Sequence, residues 1–195
     1  MIEAIAAAVF GYLLGSVPFG LLLSRMAGLG DIRAIGSGNI GATNVLRTGR
    51  KDIAALTVLL DGGKGTLAVL AAASYGGATA GLIAGVAAVL GHCTCIWLGG
   101  RGGKGVATGI GALLGISWPA GLAACAAWLA VAWFTRFSSL AALIALGLSV
   151  LLVFVLLGTY AAVAAVAIYL IVVARHSENI KRLQAGTEPH IGERR

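Results

Sequence analysis

Charge is what this sequence has least of. Only 11% of its residues are charged, 59% are hydrophobic, and mean hydropathy is +0.97. A soluble domain carries about a quarter charged residues, so that class is excluded. Cysteine is scarce and odd in number: Cys93, Cys95 and Cys125, with the first two too close in sequence for an ordinary disulfide framework. His92-Cys93-Thr94-Cys95 has no second ligand pair at a suitable spacing, so no metal site is expected. The opening residues Met1-Ile2-Glu3 lack the positive charge of a signal peptide's n-region, and the apolar run behind them is read as a true span. No low-complexity segment or convincing internal repeat is present.

What the chain does have is long uncharged stretches: Ala4 to Ser24, Ile53 to Leu98 interrupted by Asp61 and Lys64, Gly105 to Thr135, and Phe137 to Ala174. A helical span needs roughly 20 apolar residues. Turn signals divide these stretches at Ser74-Tyr75-Gly76-Gly77, at Ser117-Trp118-Pro119 and at Gly158-Thr159. The expectation is a single all-α domain over 1–195, a polytopic helix bundle of about seven spans, with five as the fallback. The first spans are placed at about 2–24, 53–73 and 78–97.

Charge placement then orients the bundle. With the N-terminus outside and the C-terminus inside, Arg25, Arg33, Arg47, Arg50, Lys51, Arg101, Lys104, Arg136, Arg175, Lys181, Arg182, Arg194 and Arg195 all fall on inner segments, leaving Lys64 within a span. This is the positive-inside pattern. It accounts for the net charge of +7 without a nucleic-acid partner. Gly77, Gly81 and Gly85, and also Gly111 and Gly115, recur every fourth residue; this spacing reads as close helix packing.

The first inner segment is longer than a connection needs. It carries GSGNIGATNVLR, Gly36 to Arg47, which mixes glycines with Ser37, Asn39, Thr43, Asn44 and Arg47. Glycine backbone amides, hydroxyl, amide and guanidinium donors together suit a phosphate. The embedded GxGxxG is not a dinucleotide fingerprint, because no strand precedes it. GGRGGKGVAT, Gly99 to Thr108, sets five glycines around Arg101 and Lys104 ahead of a helix start; it reads as a second anion site. Asp61-Gly62-Gly63-Lys64-Gly65 places two charges inside a span, where each costs roughly 2.5–3.5 kcal/mol on insertion scales. Such charges pair with each other or serve a site, and both readings stand here. After the last span, HSENIKRLQAGTE continues as a helix with His176 and Asn179 on one face.

These segments together, with GSVPFG at Gly15–Gly20, resemble the bacterial acyl-phosphate:glycerol-3-phosphate acyltransferases, the PlsY family. The resemblance covers essentially the whole chain. It implies transfer of a fatty acyl group from acyl phosphate to the 1-hydroxyl of glycerol 3-phosphate, giving 1-acyl-glycerol 3-phosphate and inorganic phosphate. It implies catalytic roles for Ser37, Arg47, Lys104, His176 and Asn179. Gly38, Asn39, Asn44, Lys64, His92, Gly102 and Gly103 are expected to bind substrate phosphate, and Glu178 or Glu188 to be structural. No cofactor is called for. The expected surroundings are a bacterial inner membrane with the site facing the cytoplasm, and a functional link to an acyl-phosphate-forming enzyme. The sequence departs from the family pattern at Thr94 and Cys95, where an aromatic and a Pro are common, and at Gly100, where an aromatic is common.

Acyl phosphate is already activated, so aligning an alcohol with a carbonyl and neutralising two phosphates would supply most of the rate. His176, His92 or a substrate phosphate oxygen is the candidate proton acceptor. Other lipid enzymes fit less well. The H-x4-D pair of acyl-CoA acyltransferases is missing, since Trp97 and Lys181 stand five beyond His92 and His176. The clustered metal-binding Asp residues of alcohol phosphatidyltransferases are missing too. An anion carrier would place polar groups toward both faces, whereas here the outer half is nearly bare.

Overall fold

The computed structural model describes residues 1–193, so Arg194 and Arg195 of the inner basic set lie outside the described residues. Eight α-helices account for most of it: α1 (Ile2–Gly15), α2 (Phe19–Met26), α3 (Ala42–Leu46), α4 (Lys51–Cys93), α5 (Val106–Ile116), α6 (Trp118–Thr135), α7 (Ser138–Arg175) and α8 (Ser177–Gln184). Four stretches are long and apolar enough to cross a membrane: Ile2–Met26, Lys51–Leu98, Trp118–Thr135 and Ser138–Arg175.

The two longest helices are hairpins. Gly77 in α4 (φ 72°) and Gly158 in α7 (φ 79°) take left-handed backbone that reverses the chain. A Cβ on Gly81 or Gly85 would press on Val69, and one on Gly147 would meet Tyr169, so each pair of arms lies side by side. Ser117 separates α5 from α6, with Pro119 in the first turn, where its missing N–H costs nothing. Three of the chain breaks therefore fall at the expected turn signals.

Four details differ from the expectation. Gly77 forms the turn and does not share the packing face of Gly81 and Gly85. The first span is interrupted at Ser16-Val17-Pro18, because Pro18 has no N–H and starts α2 afresh. The segment after Cys93 leaves the helix for a loop with a 3-10 turn at Ile96–Leu98. Helix α5 has 11 residues, a rise of about 16 Å, roughly half the hydrocarbon thickness. Its feeding loop, Gly99–Gly105, is exposed at Gly99–Arg101 and becomes buried at Gly103 and Gly105.

Small residues fill the interior. Ala68, Ala84, Ala88, Ala112, Ala141 and Ala145 are buried, while Trp133, Phe134, Leu151 and Val155 face outward. Without a hydrophobic drive between helices in lipid, close backbone contact has to supply the association. Gly111 lies against Gly62, Gly65 against the Thr108 carbonyl, and Gly11 and Gly15 against Ala84 and Ala88; none has room for a Cβ. The α4–α5 crossing is pinned further by Thr66 Oγ1 donating to the Gly111 carbonyl at 2.7 Å.

Candidate active site

At the end of the bundle opposite Gly77 and Gly158, four chain segments converge: the loop 27–47, the glycine loop 99–105, the α6–α7 junction, and α8 with the tail behind it. In the first, Asn44 is buried and organises its surroundings. Its Oδ1 accepts from Ser37 N (3.2 Å) and Ser37 Oγ (3.3 Å), and its Nδ2 donates to the Ile32 carbonyl at 2.8 Å. Gly36 (φ 55°) brings its backbone against Asn44 Oδ1 and the Arg47 guanidinium, leaving no room for a side chain. Asn39 Oδ1 caps the Gly41 N–H at 2.9 Å. Arg47 is half-buried and, among the described residues, has no carboxylate partner.

The glycine loop closes on the end of α4. Gly103 N donates to the His92 carbonyl (2.9 Å) and Gly102 N to the Cys93 carbonyl (3.2 Å). The carbonyls of Gly103 and Gly102 accept from Arg175 Nε (3.2 Å) and Nη2 (3.3 Å). The N–H groups of Ser37, Gly38, Gly41, Gly102 and Gly103 are thus all bonded within the protein. This corrects the expectation that these glycines aim amides at an anion. They permit close approach, and Lys104 is the group the loop delivers.

Lys104 Nζ donates to Asn179 Oδ1. Asn179 Nδ2 donates to Glu188 Oε1 at 2.6 Å, the same oxygen accepts from Ser139 Oγ at 2.7 Å, and Glu188 Oε2 accepts from Arg182 Nε at 2.8 Å. Burial pushes the Glu188 carboxyl up, but the hydrogen bonds from Ser139, Asn179 and Arg182 outweigh it and hold the group below its ordinary range. Burial, with the nearby charges of Arg182, Arg47 and Arg175, brings the Lys104 ammonium down to about 8 against the pull of Glu188. His176, also buried, is pushed down to about 4 by burial, with Lys104 and Arg175 adding to it. Its Nδ1 donates to the Val172 carbonyl at 2.8 Å, because a carbonyl can only accept, and this leaves the neutral ring a free lone pair on Nε2.

Lys64 and His92 lie behind this cluster and are buried. Lys64 Nζ reaches the Val17 carbonyl (2.7 Å), Asp61 Oδ1 (2.7 Å) and His92 Nδ1 (2.9 Å). All three ammonium hydrogens are used inside the protein.

The residues expected to act thus separate into three sets. Ser37, Gly38, Asn39, Asn44 and Arg47 form one wall. Lys104, His176 and Asn179 form another, with the Arg47 charge near enough to act on Lys104. Lys64, His92, Gly102 and Gly103 form the support beneath. Two contributors were not anticipated as site residues, Arg175 and Ser139. Arg175 stands next to His176 as another basic residue at a helix end, and Ser139 as an ordinary first-turn serine, so neither carried a signal. The side chains at positions 94 and 95 meet the end of the first span: Thr94 Oγ1 lies 3.2 Å from Tyr12 Oη, which itself donates to the Thr94 carbonyl at 3.0 Å, and Cys95 Sγ donates to the Ser16 carbonyl at 2.9 Å. Gly100 (φ 82°) holds a left-handed conformation in open space.

A bundle of apolar helices, four stretches of it long enough to cross a membrane, with basic and amide side chains gathered at one end, defines an integral-membrane protein. The family model "Glycerol-3-phosphate acyltransferase" matches residues 5–186. Relatives of that name from Rhodopseudomonas palustris (strain BisB5) and Paramagnetospirillum magneticum are each 56% identical over 192 residues, 98% of this chain and 97% and 96% of theirs. Crystal structures of PlsY (YgiH), an integral membrane glycerol 3-phosphate acyltransferase, superpose closely. The glycerol 3-phosphate form has TM-score 0.90 at 36% identity, covering 97% of this chain and 96% of that one. The lysophosphatidic acid form has TM-score 0.89 at 35% identity, covering 96% and 94%. The chain belongs to the glycerol-3-phosphate acyltransferase family and is an integral-membrane acyltransferase.

Proposed function

We propose that the protein transfers a fatty acyl group from acyl phosphate to the 1-hydroxyl of sn-glycerol 3-phosphate on the cytoplasmic face of a bacterial inner membrane. The products are 1-acyl-sn-glycerol 3-phosphate and inorganic phosphate. The observation that carries this reading is a pair of half-buried cations, Arg47 and Lys104, neither of which forms an ion pair with a carboxylate among the described residues, one in each set of polar side chains. Two phosphorylated substrates call for two such groups.

In this reading Lys104, with Asn179 and His176, takes the phosphate of glycerol 3-phosphate. Arg47 and Ser37 take that of the acyl donor. The glycerol hydroxyl attacks the acyl carbonyl carbon; the new C–O ester bond forms as the C–O bond to phosphate breaks, and the electron pair leaves with phosphate. No acyl-enzyme is needed, since phosphate is a good leaving group. His92 is a poor proton acceptor, because its Nδ1 faces Lys64 and its Nε2 lies against Gly103. His176, at about 4, is a weaker base than a phosphate whose second pKa is about 6. The hydroxyl proton therefore passes to a substrate phosphate oxygen, and the protein supplies positioning and charge.

The test is an assay of purified protein in detergent or lipidic mesophase with labelled glycerol 3-phosphate and palmitoyl phosphate, palmitoyl-CoA or palmitoyl-carrier protein. Product from palmitoyl phosphate alone, lost in Arg47→Ala, is expected. Product only from the thioesters would overturn the donor. No product from any donor, in folded protein, would overturn the reaction.

A further inference from the structure

Asp61, Lys64 and His92 form a buried polar cluster that the proposed mechanism does not use, with each residue 5% exposed or less. Charges inside a membrane bundle usually pair or serve a site, and Asp61 and Lys64 do pair, at 2.7 Å. The pair alone does not account for the arrangement. A lysine that merely neutralised Asp61 would not need its two other hydrogens aimed at groups from distant parts of the chain. One goes to the Val17 carbonyl, at the break that separates α1 from α2 and leads to the loop carrying Ser37 and Arg47. The other goes to His92 Nδ1. Since an ammonium only donates, Nδ1 accepts, and the imidazole proton sits on Nε2. That edge of the ring lies against Gly103, where a Cβ would collide with it, and the His92 carbonyl holds the Gly103 N–H.

We infer that Lys64 is a positioning residue: by fixing the His92 ring it seats Gly103, and with it Lys104, at a set distance from the arm that begins at Val17. Lys64 then touches no substrate. The inference rests on the proposed phosphate role of Lys104, and it assigns Lys64 and His92 to one mechanical unit in place of two separate phosphate contacts. Residues that act as a unit show non-additive losses, whereas independent ligands multiply.

The test compares Lys64→Met, His92→Ala, the K64M/H92A double variant, and D61N/K64M, in which no buried charge is left unpaired. For each, thermal stability, kcat and KM for glycerol 3-phosphate are measured, with hydrogen–deuterium exchange of residues 99–105. Expected are losses of tenfold or more in kcat/KM in Lys64→Met and His92→Ala, with no further loss in their combination. D61N/K64M regains stability but not activity, and exchange of the glycine loop accelerates in every variant lacking Lys64 or His92. Recovery of activity together with stability in D61N/K64M would overturn the inference, reducing Lys64 to a counter-ion. Multiplicative losses in K64M/H92A, or unchanged exchange at 99–105, would overturn it too. Failure of the wild-type protein to acylate glycerol 3-phosphate would sink the proposed reaction, while the exchange experiment would still decide the positioning role.

Discussion

Asn179 links Lys104 to a buried carboxylate: its Oδ1 takes a hydrogen bond from Lys104 Nζ while its Nδ2 gives one to Glu188 Oε1 at 2.6 Å. A neutral amide placed there orients the ammonium without cancelling its charge, which stays available to an incoming anion.

Asn179→Ala is expected to free Lys104 to swing toward Glu188 and neutralise itself. A hydrogen bond to a charged group contributes about 1.5–3 kcal/mol, so kcat/KM for glycerol 3-phosphate should fall roughly ten- to a hundredfold. Asn179→Asp should lose at least as much, because it sets a second carboxylate beside Glu188. Steady-state kinetics on both variants checks this.

Activity should decline on the alkaline side as Lys104 loses its proton at about 8. In the proposed reading it is the protonated form that holds the anion, so KM for glycerol 3-phosphate is expected to be flat below that value and to climb above it. The folded-state value lies below the unfolded one, so between about 8 and the ordinary lysine range the unfolded chain binds more protons. Stability from this group therefore rises with pH over the window in which affinity falls. A KM–pH series beside a thermal-melt series reads both.

Arg175→Gln removes a cation that lowers the Lys104 pKa and both hydrogen bonds to the Gly102 and Gly103 carbonyls. The alkaline limb should move to higher pH while KM rises severalfold. A limb that stays in place would separate Arg175 from Lys104 electrostatics.

Gly103→Ala should abolish activity, since the added methyl would overlap His92 Nε2, and Gly102→Ala should do nearly the same against the His92 carbonyl. Gly99→Ala and Gly100→Ala meet open space. Their cost is the left-handed backbone at φ 59° and 82°, about 1–2 kcal/mol each, and activity should remain within a few-fold of wild type. Comparing the four by activity and thermal melt separates close packing from turn geometry.

Asn44→Ala should destabilise the loop by about 1–3 kcal/mol, because it leaves the Ile32 carbonyl and Ser37 N–H without their partner. Ser37→Ala keeps the backbone bond and should cost activity with little change in melting temperature. Melts and kinetics on the two variants distinguish the roles.

Much of the architecture was legible in the residues. Lipid admits only internally bonded backbone, so long uncharged runs had to be helices. Gly-Gly, Ser-Trp-Pro and Gly-Thr mark places where a helix cannot comfortably continue, and the breaks near Gly77, Ser117 and Gly158 followed. The interruption at Val17-Pro18 was hidden because the apolar run passes through it unchanged, and hydropathy does not register a missing N–H.

The site was legible as a set of polar groups but not as a division of labour. Residue types alone pointed to a chain that crosses a bilayer several times and to polar segments carrying most of its basic residues, and the family resemblance singled out Ser37, Arg47, Lys104, His176 and Asn179 on those segments. Only the tertiary structure decided which of those groups stay free. Hydrogen bonding is a matter of angstroms between segments far apart in sequence. It ties Lys64 to Val17 and His92, the Gly102 and Gly103 amides to the end of α4, and Arg175 to the glycine-loop carbonyls, leaving Arg47 and Lys104 facing the site.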